Sequence, residues 1–292
     1  MAEIAVVGPG AIGCTVAAWL AQGAAHRLTV LARQTLAGIV VQTPGGALQA
    51  EPRIVTDALA LQGCEWVLVA TKAYDAVTVA ATLAPLAGGP ACIAILQNGV
   101  EHLEHFTAGF APGQLLPVMV DIPALRTAPG RVTQHRKGRM CVPQGELGER
   151  FVQLFAHTDI DVVQSPDFKT EIWKKLCVNA AGAFSAVLLK PAVIARHAGV
   201  AALMERVIRE VIAVGRAEGA DLDAGLAASI VDGYRQNPSG INSMHADRLA
   251  GRSMEIEARN GVIVRLGRRH GIPTPTNEMI VALLEASLLD AG

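Results

Sequence analysis

The feature that most limits what this chain can fold into is its opening, Ile4-Ala5-Val6-Val7-Gly8-Pro9-Gly10-Ala11-Ile12-Gly13. A short apolar run of strand character ends in a G-x-G-x-x-G turn, and an alanine-rich stretch of helical character, Cys14 to Ala25, comes next. Strand, glycine turn and helix in that order are the context a dinucleotide-binding fingerprint requires. Each glycine has a physical task. Gly8 permits the sharp turn, Gly10 lets backbone approach a pyrophosphate, and Gly13 lets the helix pack close to the strand. The helix N-terminus then presents unpaired N–H groups and a partial positive charge to the phosphates. The plain alternative is an ordinary glycine-rich turn, but the flanks and position favour a cofactor site spanning Gly8, Pro9, Gly10, Ala11, Ile12 and Gly13.

Arg27 to Ala32 reads as a second strand, giving β-α-β, and the residue after it bears on the choice of cofactor. A fold of this type selective for NAD places Asp or Glu about twenty residues after the glycines, on the ribose 2′-OH. Arg33 stands in that place, and no acidic residue occurs from Ile4 to Ala50. A guanidinium suits a 2′-phosphate through charge-assisted bonds, so NADP(H) is expected over NAD, the alternative being a solvated surface arginine. Further strands are expected at Ile39–Thr43, Ala47–Val55, Trp66–Ala70 and Ala91–Leu96, with a helix over Asp75–Leu86. Open α/β sheets bind ligands beyond the carboxyl ends of their strands. Gly8, Gly10, Arg33, Lys72 and Asn98 all fall directly after strands in this reading. Taken singly, Lys72 could be a surface lysine and Asn98-Gly99 only a turn.

Leu115–Leu125 and Arg131–Val142 read as strands closing the sheet. Arg131, His135, Arg136, Lys137 and Arg139 read most simply as the charges of a solvated edge strand, the lesser alternative being a role with a substrate carboxylate. A helix over Leu147–His157 and a strand over Ile160–Val163 precede Ser165-Pro166, the expected domain boundary. From Phe168 the period becomes helical, with helices expected at Lys169–Leu189, Val200–Glu218, Asp223–Tyr234, Met244–His270 and Asn277–Leu289. The fold class is therefore α/β: a Rossmann-type dinucleotide-binding domain over residues 1–165, then an all-α domain over residues 166–292.

In the helical half two stretches carry chemistry. Lys175 and Asn179 share a helix face, although Glu171 four residues earlier allows a plain surface pair. Asn242-Ser243-Met244-His245-Ala246-Asp247 and Glu255 form the second. Ser243 could be an N-cap, Glu255 a surface partner of Arg259, and Asp247 an equally ordinary surface acid. His102 and His105 read as exposed helix residues, and no histidine pair has metal-ligand spacing with a carboxylate, so no metal is expected.

Composition closes off other classes. A formal net charge of -1 and 17% charged residues give no basis for a nucleic-acid partner. Pro85, Gly88, Gly89 and Pro90 interrupt the longest uncharged apolar stretch, Ala76–Leu96, so no membrane span is expected. The opening residues include Glu3 and no basic segment, unlike a secretory signal. The five cysteines, Cys14, Cys64, Cys92, Cys141 and Cys177, lack C-x-x-C spacing and read as reduced thiols of a cytoplasmic protein.

With these residues in hand, the chain resembles the ketopantoate reductase family. The match is carried by the glycine turn, Arg33, Lys72, Leu96-Gln97-Asn98-Gly99-Val100, Trp173-Lys174-Lys175-Leu176 with Asn179, and Asn242-Ser243-Met244 with Asp247. Glu255 with Asn260-Gly261, and Gly271-Ile272-Pro273-Thr274-Pro275-Thr276-Asn277, complete it. The resemblance implies NADPH-dependent reduction of a small 2-oxo acid to a 2-hydroxy acid, a place in pantothenate biosynthesis, and a homodimer as an allowed assembly. It implies Lys175 as catalytic acid, Glu255 fixing the lysine or the substrate hydroxyl, Asn98 and Asn179 holding substrate, Ser243 meeting its carboxylate, and Lys72 and Asn98 near the cofactor. Ala183 and the segment Lys190-Pro191-Ala192-Val193 depart from the family, where asparagines commonly bind substrate hydroxyls. A D-2-hydroxyacid dehydrogenase for branched or aromatic 2-oxo acids is therefore one alternative, and a non-enzymatic NADP(H) sensor a second.

Overall fold

The computed structural model describes residues 1–22 and 26–289, so the end of the expected first helix, residues 23–25, lies outside the described residues. The chain divides into two compact units, Met1–Phe168 and Lys169–Gly292.

The first unit is built around β1 (Ala2–Val7), which the glycine turn joins to α1 (Ala11–Leu20). Strands β2 (His26–Leu31), β5 (Arg53–Val55), β6 (Trp66–Val69), β7 (Cys92–Ile95) and β8 (Leu115–Pro117) complete a parallel six-stranded sheet, ordered β5-β2-β1-β6-β7-β8. Counted along the chain, that is the doubly wound order 3-2-1-4-5-6 of dinucleotide-binding folds. Direction along the sheet reverses between β1 and β6, so the loops leaving these strands part to opposite faces and open a crevice at their carboxyl ends. Successive side chains alternate faces. Ile4 and Val6 pack with Val16 and Leu20 of α1 and with Phe151, whereas Ala5 and Val7 pack with Val67, Val69, Ile93, Ile95 and Phe106. Burial on both sides explains the unbroken apolar runs, each large aliphatic side chain contributing about 2 kcal/mol.

The rest of this unit is more broken than the sequence suggests. The expected strand Ala47–Val55 divides into β4 (Gly46–Ala50), paired with β3 (Ile39–Thr43), and β5. The helix expected over Asp75–Leu86 is α2 (Ala76–Thr82), flanked by 3-10 turns at Ala73–Asp75 and Ala84–Leu86, the second containing Pro85. Leu115–Leu125 and Arg131–Val142 do not close the main sheet as two strands. Only β8 joins it; β9 (Met119–Asp121), β10 (Ala124–Ala128), β11 (Arg131–Gln134) and β12 (Gly138–Pro143) build two smaller sheets with β3, β4 and β13 (Ile160–Ser165). Pro117 and Pro123 lack the N–H a continuous ladder needs. The basic cluster is exposed, but not on an edge strand: β11 lies between β10 and β3, and β12 between β13 and β9. Two of its cations pair with acids, Arg136 with Asp121 at 2.8 Å and Lys137 with Asp159 at 3.1 Å. Helix α3 (Glu146–Leu154) sends Phe151 and Leu154 into the first core.

The second unit is helical: α4 (Phe168–Leu188), α5 (Ala198–Ala217), α6 (Leu226–Gln236), α7 (Ser243–Leu249), α8 (Val262–His270) and α9 (Pro275–Ala286). The expected helix Met244–His270 is interrupted. Ala250 N–H and Arg252 N–H both turn back to Asp247 O, and Gly251 takes φ +62, a left-handed stop after α7. Residues 252–255 are non-helical, and a π-helical turn, Glu257–Gly261, leads into α8. Glu210 of α5 accepts from the N–H groups of Thr276 and Asn277 at 2.9 Å, an acid at the start of α9.

All five cysteines are free and buried; loss of hydration pushes Cys14 to about 11 and Cys177 to about 12. No described helix is long and apolar enough to cross a membrane.

His102 overturns its expectation. It lies in a turn segment, not a helix, and is buried beside Phe168, ring centroids 6.4 Å apart; His105 is exposed. Burial drives its pKa down to about 4, against the pull of a backbone bond to Gln97. A depressed histidine pKa means the unfolded chain binds the extra proton first. The stabilisation is complete above the ordinary value of 6.5 and is lost as pH falls from 6.5 toward 4. Thermal melts of His102→Gln across that interval should slope less steeply with pH than wild type, the missing component being on the order of 3 kcal/mol; equal slopes would refute the assignment.

Candidate functional site

The glycine turn forms a cradle whose shape depends on absent side chains. Gly8 takes φ +89 and donates its N–H to Leu31 O; a Cβ there would lie 2.6 Å from Thr71 Cγ2. A Cβ on Gly13 would collide with Gly8 O, so α1 approaches the turn as closely as backbone allows. At Gly10 the same atom would meet nothing within 4 Å. That open space lies over the start of α1, which has no side-chain cap and no acidic residue in its first turn. Ala11, Ile12 and Gly13 begin the helix, and Pro9 O accepts from the Cys14 thiol at 3.3 Å. The arrangement fits a pyrophosphate: N–H groups and positive dipole with room above them.

The neighbouring strand ends are tied to this turn. Gln97, after β7, is buried and donates Nε2 to Thr71 Oγ1 at 2.9 Å and to Lys72 O at 3.1 Å. This latch sets the backbone from which Lys72 and, one residue on from Gln97, Asn98 project. Gly99 comes next with φ +118. Arg33, after β2, is 80% exposed and pairs with Asp75 Oδ1 at 2.8 Å. Asp75 is a partner that the run without acids from residue 4 to 50 could not reveal. Proximity here is made by the sheet, not by the chain.

In the helical unit Lys175 and Asn179 sit one turn apart on α4, both partly buried. Glu171 pairs with Lys174 at 3.3 Å. Side chains from elsewhere in the unit donate to carbonyls along α4: Tyr234 to Val178 at 2.9 Å, Asn260 to Ala180 at 3.3 Å, Asn242 to Gly182 at 2.8 Å, and Arg248 to Val187 at 2.9 Å. A Cβ on Gly182 would lie 2.6 Å from the Tyr234 hydroxyl, so that glycine admits the close approach. Lost hydration pushes Tyr234 up to about 12, with the positive charge of Arg259 opposing. Asn260 Nδ2 also donates to Asn277 Oδ1 at 2.9 Å, and Asn277 Nδ2 to Glu210 at 2.6 Å, joining the π-helical turn to α9 and α5.

Three residues depart from their plain alternatives. Ser243 is not the N-cap of α7; Asn242 is, its side chain accepting from His245 N–H at 3.0 Å. Glu255 and Arg259 are not a surface pair, because both are buried. Asp247 is buried and accepts from Arg252 Nε at 2.9 Å. Arg259 is a residue that spacing alone does not mark: its Nη2 donates to Ser243 Oγ at 2.5 Å. The four-residue step from Glu255 disguises it as half of a surface pair. Among the described residues, no group of three or more His, Cys, Asp or Glu side chains could hold a metal.

Comparison with known proteins decides the family. Residues 4–146 match the model "Ketopantoate reductase PanE/ApbA", and residues 167–287 match "Ketopantoate reductase PanE/ApbA C terminal". The chain belongs to the ketopantoate reductase family. It is 52% identical over 290 residues to a 2-dehydropantoate 2-reductase of Caulobacter vibrioides, covering 99% of this chain and 100% of the relative. A ketopantoate reductase structure from Ralstonia eutropha superposes with a TM-score of 0.91 at 30% identity, covering 98% of each chain. A structure described as a dimeric ketopantoate reductase, from Staphylococcus aureus, gives 0.85 at 25% identity, again over 98% of each chain. This ketopantoate reductase family member thus carries the α/β, Rossmann-like first unit and the helical second unit of its relatives.

The glycines separate folding from binding. Gly10→Ala should fold with stability within about 0.5 kcal/mol of wild type, yet bind NADPH at least about tenfold more weakly by fluorescence titration. Gly13→Ala should lower the melting temperature as well, since its Cβ meets backbone. Equal melting losses in both variants would contradict this division.

Proposed function

We propose that this chain is a 2-dehydropantoate 2-reductase, reducing ketopantoate to pantoate with NADPH. The observation that carries the reading is the whole-length match to a relative of that name at 52% identity. Lys175, Asn179, Ser243 and Glu255 are all present in the helical unit. That match outweighs the departures at Ala183 and residues 190–193, so neither a dehydrogenase for branched or aromatic 2-oxo acids nor a non-enzymatic sensor is favoured.

NADPH, when bound, supplies the hydride that the ketone carbon receives. The N–H groups at the start of α1 and the ammonium of Lys72 hold its phosphates. The exposed guanidinium of Arg33 takes the 2′-phosphate, whose charge exceeds that of the Asp75 carboxylate it now pairs with. Lys175 stands at the ketone oxygen: its ammonium stabilises the developing negative charge and passes a proton to it, completing the alcohol. Glu255, a buried carboxylate, fixes the lysine or the substrate hydroxyl. Asn98 and Asn179 orient the substrate, and Ser243 meets its carboxylate. Assembly as a homodimer rests on the likeness to the Staphylococcus aureus protein, and no nucleic-acid or membrane partner enters this reading.

Initial rates with ketopantoate should exceed those with branched and aromatic 2-oxo acids. Lys175→Ala should lose at least about a hundredfold in kcat while binding NADPH normally; undiminished turnover would remove the lysine from the chemistry. Arg33→Asp should move the NADPH/NADH preference toward NADH by about tenfold or more. An unchanged ratio would show that Arg33 does not touch the 2′-phosphate.

A further inference from the structure

Arg259 is the most unusual charge in the helical unit. It is 2% exposed, and an arginine stays protonated in a protein, so this is a permanent buried cation. Of its nitrogens, Nη2 has one bond, to Ser243 Oγ at 2.5 Å, and the buried Nε and Nη1 have no hydrogen-bond partner among the described residues. Its neighbours are better served: Arg252 pairs with Asp247, Arg265 with Glu257, Arg268 with Glu278, and Arg216 bonds twice to Leu222 O. Among the described residues no carboxylate forms an ion pair with Arg259. A guanidinium held out of water without an anion is costly, and the cost is recovered when an anion arrives.

The single bond it makes points to which anion. Ser243 is exposed, and its oxygen accepts from Arg259, which leaves the hydroxyl hydrogen available to donate. Nη1 and Nη2 together form the flat end of the fork, the edge that a carboxylate bridges with two parallel bonds. The residue is carried on the π-helical turn Glu257–Gly261, a local irregularity of the kind found at functional sites. Asn260, the next residue, donates Nδ2 to Ala180 O at 3.3 Å, one residue beyond Asn179. The cation therefore lies close to the stretch of α4 that carries Lys175 and Asn179.

We propose that Arg259, acting with the Ser243 hydroxyl, is the anchor for the carboxylate of the 2-oxo acid. This rests on the reductase reading and adds to it a second, charged donor beside Ser243. It assigns the enzyme a preference for acids over neutral 2-oxo compounds.

The test compares wild type, Arg259→Met and Arg259→Lys on ketopantoate and on its methyl ester. Arg259→Met should raise KM for the acid about thirtyfold, leave KM for NADPH unchanged, and alter KM for the ester little. A folded Arg259→Met protein with unchanged KM for the acid, or with equal losses on acid and ester, overturns the proposal. Should Arg259→Met fail to fold, Arg259→Lys carries the test: keeping the charge but losing the fork, it should raise KM for the acid about tenfold and spare the ester, and an unchanged value for the acid overturns the proposal. Calorimetric titration with oxamate, an unreactive mimic, separates this proposal from the reductase reading. Oxamate binding to wild type that is lost in a folded Arg259 variant supports the anchor even if no 2-oxo acid is turned over, in which case the reductase reading fails alone. Turnover of ketopantoate by wild type and variant with equal KM leaves the reading standing and removes the anchor.

Discussion

The nucleotide-binding unit depends on one close approach, that of α1 to the carbonyl of Gly8. A helix can come this near a strand only where no Cβ intervenes, and Gly13 supplies that gap. The approach fixes where the helix dipole ends, namely at the carboxyl edge of β1, beside the reversal in strand order. Gly8, pressed against Thr71, transmits the same constraint to the end of β6, and the Gln97 side chain carries it to β7. Three strand ends are thus held in one register by a missing methyl group, a steric contact and two hydrogen bonds. None of these involves a charged group, so the platform does not depend on ionic strength, unlike the exposed Arg33–Asp75 pair mounted on it.

The helical unit solves a different problem, that of fixing a long helix of small residues. Ala180, Ala181, Gly182 and Ala183 offer little side-chain volume with which to lock α4. Amide, phenol and guanidinium donors from other segments seat instead on its carbonyls at 178, 180, 182 and 187. Small residues are what let those donors come close, as Gly182 does for Tyr234. Hydrogen bonds have directional preferences that dispersion contacts lack, so this packing fixes the rotation of α4 about its axis, and with it the direction of Lys175 and Asn179.

Legibility in the sequence tracks how local each feature is. The fingerprint, the buried strands and the change to helical period can be read because a few neighbouring residues encode them, and they lead to the fold class and the family. Asp75 cannot be read as the partner of Arg33, since the sheet brings together residues 42 positions apart. The short strands between residues 115 and 143 read as two longer ones because their pairing with β7, β3 and β13 is non-local. His102 and Arg259 fail in the same direction: polar residues at helix-like spacing read as solvent-facing, yet both are buried. In the structure the chain stops α7 at Gly251 and stays non-helical through residue 255, so Glu255 and Arg259 do not share a continuous helix face.

The π-helical turn has a consequence for how this part of the chain can vary. A widened turn holds one residue more than an α-helix would place there, and each residue of an α-helix advances the helix by about 100°. Deleting any single position between 257 and 261 would let the segment rewind as an ordinary helix. Everything upstream would then swivel by that angle relative to α8, taking the guanidinium of Arg259 or the amide of Asn260 off its mark. Substitutions here can be absorbed one side chain at a time, whereas a change of length by one residue re-aims the whole inner face at once.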